Sequence, residues 1–168
     1  MSVSQPVLAV ERQPRIRNRA LRRFLAKRSA LGIPELIRRA EAEAVGLDPG
    51  FVAAGFSMGA AVAQYIAGTT PGARAAVLVS GAAAPDESGV ERCPEGVAVQ
   101  VHYAEHDPWV DAEDVAALGE SVRSAGAVFQ AHIYAGSGHL FTDPDLPEYD
   151  PASAGALQDR TLAFIRQL

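Results

Sequence analysis

The chain has 168 residues, of which 48% are hydrophobic and 21% are charged, and a chain of that length can bury a substantial core. The apolar content excludes a disordered protein, and the single cysteine excludes a disulfide scaffold. No run approaches the roughly 18 uncharged apolar residues that a membrane span requires. Nothing near the N-terminus combines the features of a secretory signal. We therefore expect a cytoplasmic protein.

Positive charge is concentrated at the start of the chain. The first 39 residues hold ten Arg or Lys and two Glu, a net charge of +8, whereas the whole chain carries −5, which leaves −13 on the remainder. Such asymmetry is typical of an arm attached to a globular body. We expect a basic N-terminal segment over residues 1–31, disordered or helical, followed by one domain over residues 32–168.

Helical and strand patterns alternate from Gly32 onward. A first helix is predicted over Glu35–Val45, since Pro34 suits a first helical position and Gly46 lies just past its end. Phe51–Phe56 is an uncharged apolar run and predicts a strand buried on both faces. A helix of small residues should follow over Met58–Ala67 and stop at Gly68.

The second half of the chain repeats this alternation. The patterns predict strands over residues 73–80, 97–103 and 128–134, a loop over residues 82–95, a helix that begins after Asp111 and reaches Ser124, and a last helix over about residues 152–167. Such an order predicts an α/β fold, a three-layer parallel sheet with helices on both faces. Ligands of these folds bind beyond the carboxyl ends of the strands.

One motif lies at such a strand end. Gly55-Phe56-Ser57-Met58-Gly59 follows the first predicted strand and opens a helix, which is the context of a G-x-S-x-G nucleophile elbow. So tight a turn requires small neighbours and explains the two glycines. It exposes the Ser57 hydroxyl and places the Met58 N–H at a helix N-terminus, where it can stabilise an oxyanion.

A serine nucleophile needs a base and a group that orients the base. Asp107 follows the third predicted strand and His139 follows the fourth, so both should lie at the same end of the sheet as Ser57. Their order, Ser, then acid, then His, is that of α/β-hydrolases. The sequence therefore predicts a Ser57-Asp107-His139 catalytic triad.

Several nearby residues admit a second interpretation. Phe56, Trp109 and Phe141 are candidates to line a substrate pocket, although aromatic residues beside strands are more often core. Glu105 and Asp143 are rival acids for the triad. The four histidines show no metal-ligand spacing, and we expect a solvated loop residue at His106 and packing residues at His102 and His132.

Three segments, GFSMGAAVAQYIA, HYAEHDPWV and YAGSGHLFTDPDLPEYDP, resemble the dienelactone hydrolase family of the α/β-hydrolase fold. The resemblance covers about residues 34–168. It implies that Ser57 is the nucleophile, Asp107 the acid and His139 the base, and that the protein hydrolyses a small ester or lactone without a metal or organic cofactor. Dienelactone hydrolases proper have cysteine where this chain has Ser57, so the resemblance implies a reaction class and not a particular substrate.

The sequence departs from that family before residue 51. Family members carry several strands there, including a loop that supplies a second oxyanion-hole N–H, and we expect this chain to lack them. One alternative is therefore an impaired, truncated relic of a hydrolase. We also expect self-association through an uncovered edge of the sheet.

Another alternative is that the Arg-rich arm binds an anionic partner. A solvated tail explains the same charges, so nucleic acid is not the favoured partner.

Overall fold

A computed structural model describes residues 32–90 and 92–168. Their helices are α1 (Gly32–Ala44), α2 (Met58–Thr69), α3 (Pro85–Ser88), α4 (Ala112–Ser124) and α5 (Pro151–Ile165). Their strands are β1 (Phe51–Phe56), β2 (Ala73–Val79), β3 (Ala98–Ala104) and β4 (Phe129–Tyr134). The basic segment predicted over residues 1–31 lies outside the described residues, and its binding of anionic partners stays a prediction.

The four strands form one parallel sheet in chain order, β1-β2-β3-β4. β2 and β3 are central and almost wholly buried. Alternate side chains of these strands enter two separate cores, as a two-residue period requires. One core includes residues of α2 and α4, and the other includes residues of α5. The predicted three-layer α/β fold is therefore confirmed.

Two helices begin at an aspartate cap, of which Asp111 was predicted, whereas α1 begins at Gly32 and not just after Pro34 as expected. Asp111 caps α4, since its Oδ1 accepts a hydrogen bond from the Glu113 N–H at 2.9 Å. Asp150 caps α5 in the same way through the Ala152 N–H at 3.0 Å. Each cap satisfies one of the backbone donors that a helix leaves unpaired at its start.

Three local predictions were wrong. Gly68 does not end α2, which continues to Thr69, because a single glycine weakens a helix without breaking it. The predicted loop over residues 82–95 contains the short helix α3, whose first residue is Pro85. β1 is not buried on both faces, because among the described residues it pairs with a strand on one side only, and five of its six residues are exposed or half-buried.

None of the helices among the described residues is long and apolar enough to cross a membrane.

Candidate active site

The parallel register brings the carboxyl ends of all four strands to one end of the sheet. Phe56 pairs with Val79, Val79 with His102, and His102 with His132. The residues that follow these strands therefore lie together at the carboxyl end of the sheet.

The turn after β1 is strained at Ser57. This residue has φ +52° and ψ −118°, a positive φ that a residue with a side chain rarely adopts. The Ser57 N–H is held by the Val79 carbonyl at 2.8 Å, and the Ser57 carbonyl accepts from the Ala60 N–H at 2.9 Å. The strand thus leads directly into α2 and leaves Ser57 at the carboxyl end of the sheet.

The two glycines of the motif differ in their surroundings. A Cβ at Gly55 would overlap the backbone carbonyl of Gly59, so this position has no room for a side chain. A Cβ at Gly81, after β2, would come within 2.9 Å of the Ser57 carbonyl oxygen. A Cβ at Gly59 would meet no described atom within 4 Å. The tight turn therefore requires Gly55, whereas the expectation that it also requires Gly59 was wrong.

The structure brings Ser57, His139 and Asp107 into one hydrogen-bonded chain. Ser57 Oγ lies 2.7 Å from His139 Nε2. His139 Nδ1 lies 2.8 Å from Asp107 Oδ2 and 3.0 Å from Oδ1. The carboxylate of Asp107 is fully buried, and the imidazole of His139 is 17% exposed. The acceptor at Nδ1 places the ring proton there and leaves the Nε2 lone pair facing the Ser57 hydroxyl.

The loop after β3 holds the carboxylate of Asp107 in place. The Trp109 N–H donates to Asp107 Oδ1 at 2.9 Å, and the Asp107 N–H is held by the Ala104 carbonyl at 3.1 Å. The rival acids lie elsewhere, since Glu105 is exposed and Asp143 Oδ1 accepts from the Asp145 N–H.

The three aromatic candidates have different surroundings. Phe56 and Trp109 are half-exposed, and the Trp109 ring centroid lies 6.2 Å from that of His139. Phe141 is 3% exposed and packs against Tyr134 with ring centroids 4.9 Å apart. The structure thus places Phe141 in the core under α5, contrary to the expectation of a pocket wall, because the loop after His139 turns inward.

Met58 begins α2, and the first N–H groups of a helix have no partner within it. The Met58 N–H therefore lies at the positive end of the helix dipole, in the residue that follows Ser57. Within the described ranges, no group of three or more His, Cys, Asp or Glu side chains is arranged to hold a metal ion.

Sequence reasoning missed Glu148, which precedes α5. Its Oε1 accepts from the Leu140 N–H at 2.9 Å and its Oε2 from the His139 N–H at 3.2 Å. Because these contacts are made to backbone groups, no spacing of residue types indicates them.

His102 is buried, as expected of a packing residue, and it also belongs to a polar layer between the sheet and α5, whereas His132 is half-buried. His102 Nδ1 lies 2.8 Å from the Tyr134 hydroxyl, and its Nε2 lies 2.8 Å from Gln100 Oε1. The signal for this layer is the two-residue spacing of polar side chains in strands that otherwise look buried, at Gln100 and His102 in β3 and at Gln130 and His132 in β4.

Solved structures with the same fold include several hydrolases. A putative dienelactone hydrolase from Klebsiella pneumoniae is 20% identical with a TM-score of 0.63, and the match covers 81% of this chain and 62% of that one. A dienelactone hydrolase-like promiscuous phosphotriesterase, P91, from metagenomic libraries is 23% identical with a TM-score of 0.65, covering 80% and 62%. Esterase PE8 is 24% identical with a TM-score of 0.58, covering 95% and 67%. The chain thus spans 62–67% of the length of these proteins.

No curated protein sequence matches the chain significantly. The sequence model of the dienelactone hydrolase family matches residues 9–168. The resemblance therefore begins well before residue 34, and the expected limit there was wrong. Since the match spans nearly all of its residues, the chain belongs to the dienelactone hydrolase family.

Proposed function

We propose that the protein is a serine hydrolase of small esters or lactones, with Ser57 as nucleophile, His139 as general base and Asp107 as the acid that orients it. The observation that carries this proposal is the unbroken chain of hydrogen bonds from Ser57 Oγ through the imidazole to the buried carboxylate. Membership of the dienelactone hydrolase family supports the same reaction class.

The proposed reaction moves each proton along this chain of hydrogen bonds. Ser57 Oγ attacks the carbonyl carbon while its proton moves to His139 Nε2, 2.7 Å away. Asp107 stabilises the resulting imidazolium through Nδ1. The oxyanion accepts from the Met58 N–H at the start of α2. The intermediate then collapses, and the leaving alkoxide takes the proton from Nε2. Water attacks the acyl-enzyme by the same route and releases the acid.

The surroundings of the triad favour an apolar group on the substrate. Phe56 and Trp109 are large, half-exposed aromatic side chains, and Met58 is also exposed. An exposed aromatic ring beside His139 offers apolar area that a bound acyl or alkyl group can bury. We assign Phe56 and Trp109 to substrate contact, whereas Phe141 supports the loop from inside the core.

The test is turnover of p-nitrophenyl acetate by the wild type and by Ser57→Ala. We expect the substitution to lower kcat/KM by at least about a hundredfold, because it removes the nucleophile. Ser124→Ala is the matched control, since Ser124 is exposed at the end of α4. Equal rates for the wild type and Ser57→Ala would refute the proposal.

The alternative of an impaired relic is distinguished by a fluorophosphonate probe. The probe reacts only with an activated serine, so the proposed function requires labelling that Ser57→Ala abolishes. An unlabelled, folded wild type would favour the relic.

A further inference from the structure

We infer that Glu148 is a positioning residue, which sets the backbone of the His139 loop and through it the imidazole. This inference rests on the proposed function, because it concerns the geometry of the same triad. Glu148 does not touch the reacting atoms, since its carboxylate accepts hydrogen bonds from two backbone N–H groups.

The contact is bidentate and charge-assisted. Each carboxylate oxygen of Glu148 accepts one N–H, from His139 at 3.2 Å and from Leu140 at 2.9 Å. Hydrogen bonds from N–H groups to a carboxylate are stronger than those to a neutral acceptor. Two successive N–H groups that point to one carboxylate fix the orientation of the peptide that joins His139 to Leu140.

The backbone of Glu148 lies close to the same loop. A Cβ at Gly138 would come within 3.0 Å of the Glu148 carbonyl oxygen and 3.3 Å of its Cβ, so only glycine fits there without displacement. Two residues on, the Asp150 N–H donates to the Phe141 carbonyl at 2.9 Å. The segment that carries Glu148 is therefore packed against the residues on both sides of His139.

That segment is itself anchored. Asp150 caps α5 through the Ala152 N–H and the Ser153 hydroxyl, at 3.0 and 2.7 Å. On the other side of the contact, Phe141 is buried in the core. Glu148 thus joins the start of a helix to the loop between Gly136 and the buried Phe141, which carries His139.

The position of His139 decides the rate, because proton transfer requires Nε2 within hydrogen-bond reach of Ser57 Oγ. Small displacements of a catalytic group lower kcat without changing how the substrate is bound. We expect Glu148→Ala to lower kcat by about 10- to 100-fold with KM nearly unchanged. Glu148→Gln keeps one acceptor oxygen but turns an N–H₂ towards the second N–H, so its loss should be smaller.

The control for the loss of an exposed carboxylate is Asp145→Ala. Asp145 is an exposed residue of the same loop, and its replacement should leave kcat within about twofold of the wild type. Midpoints of thermal unfolding, measured for all variants, separate a local effect from unfolding. A kcat of Glu148→Ala equal to that of Asp145→Ala would overturn the inference.

A second measurement does not depend on turnover. In Glu148→Ala, the amide protons of His139 and Leu140 should exchange with solvent faster by NMR, with the amides of β3 unchanged. Unchanged exchange at both amides would overturn the inference even if kcat fell. Wild-type turnover equal to that of Ser57→Ala would instead refute the proposed function, and with it any role of Glu148 in that reaction.

Discussion

At the residue scale, the site depends on one backbone conformation at Ser57 and on the space left for it. The positive φ of Ser57 is maintained because Gly55 and Gly81 allow the neighbouring backbones to approach. Strain of this kind persists only where the surroundings determine it fully. Substitutions that add atoms against this turn should therefore destabilise the protein more than their size suggests.

Gly55→Ala tests that statement against Gly59→Ala. At Gly55 the added methyl group would overlap the Gly59 carbonyl and lie 2.7 Å from the Ala60 nitrogen, so backbone must move. We expect a loss of about 1–3 kcal/mol in the free energy of unfolding, measured with urea, together with the loss of fluorophosphonate labelling.

Gly59→Ala places the same methyl group in open space in the first turn of α2. Because alanine favours a helix over glycine by about 1 kcal/mol, this variant should be as stable as the wild type or more so. Equal destabilisation by the two substitutions would show that the turn does not discriminate between them.

That Ser57, Asp107 and His139 lie within hydrogen-bond distance of one another could be predicted, because each follows a strand and a parallel sheet brings such positions together. Asp107 and His139 needed only the strand ends and the order of residue types. Phe141 and Glu148 could not be predicted in the same way. Whether an aromatic residue in a loop faces a pocket or the core, and which backbone N–H a carboxylate reaches, depends on loop conformation that the sequence pattern does not encode.

At the scale of elements, the strands were predicted to within a residue or so, but their burial was not. An apolar run indicates a strand without indicating its place in the sheet, which is why β1 was expected to be buried on both faces. Conversely, β3 carries Gln100 and His102 and is nevertheless fully buried. Its polar side chains are satisfied by partners in β4 and α5, namely Tyr134, Gln130 and the Arg160 carbonyl.

This polar layer makes stability depend on pH. Burial, with the nearby positive charges of His132 and Arg160, lowers the pKa of His102 from 6.5 to about 3. As the pH falls below 6.5, His102 therefore binds a proton in the unfolded chain but stays neutral in the folded chain. Stability should be constant with respect to His102 above that pH and fall by up to about 1.4 kcal/mol per unit between pH 6.5 and 3.

The measurement is urea unfolding of the wild type and of His102→Gln at pH 7, 6 and 5. His102→Gln removes the titrating group at the cost of its hydrogen bond to Tyr134, so the slopes are compared and not the absolute stabilities. The pKa of His132 is also lowered. Titration of His132 therefore contributes to the slope of unfolding free energy against pH in both proteins. Identical slopes in the two proteins would contradict a neutral, buried His102.

At the scale of the whole molecule, the described sheet has two edges of different character. On one side of the sheet, β1 has β2 as its partner, and within residues 32–90 and 92–168 no strand pairs with its other side. Beside it lies an apolar groove of about 500 Å³ lined by residues of α1, β1 and α2, among them Leu36, Val52, Val62 and Ile66. β4 forms the opposite edge and carries Gln130 and His132.

We propose that β1 pairs with β1 of a second copy, since identical edges can join about a two-fold axis and satisfy each other's backbone groups. Light scattering should then show a dimer at micromolar concentration. Ala54→Lys places a like charge on both copies of an exposed β1 position and should shift the mass towards the monomer. Ala131→Lys, at an exposed position of β4, is the matched control and should leave the dimer intact. A wild type that stays monomeric would contradict the pairing, and dissociation by Ala131→Lys alone would place the interface at β4.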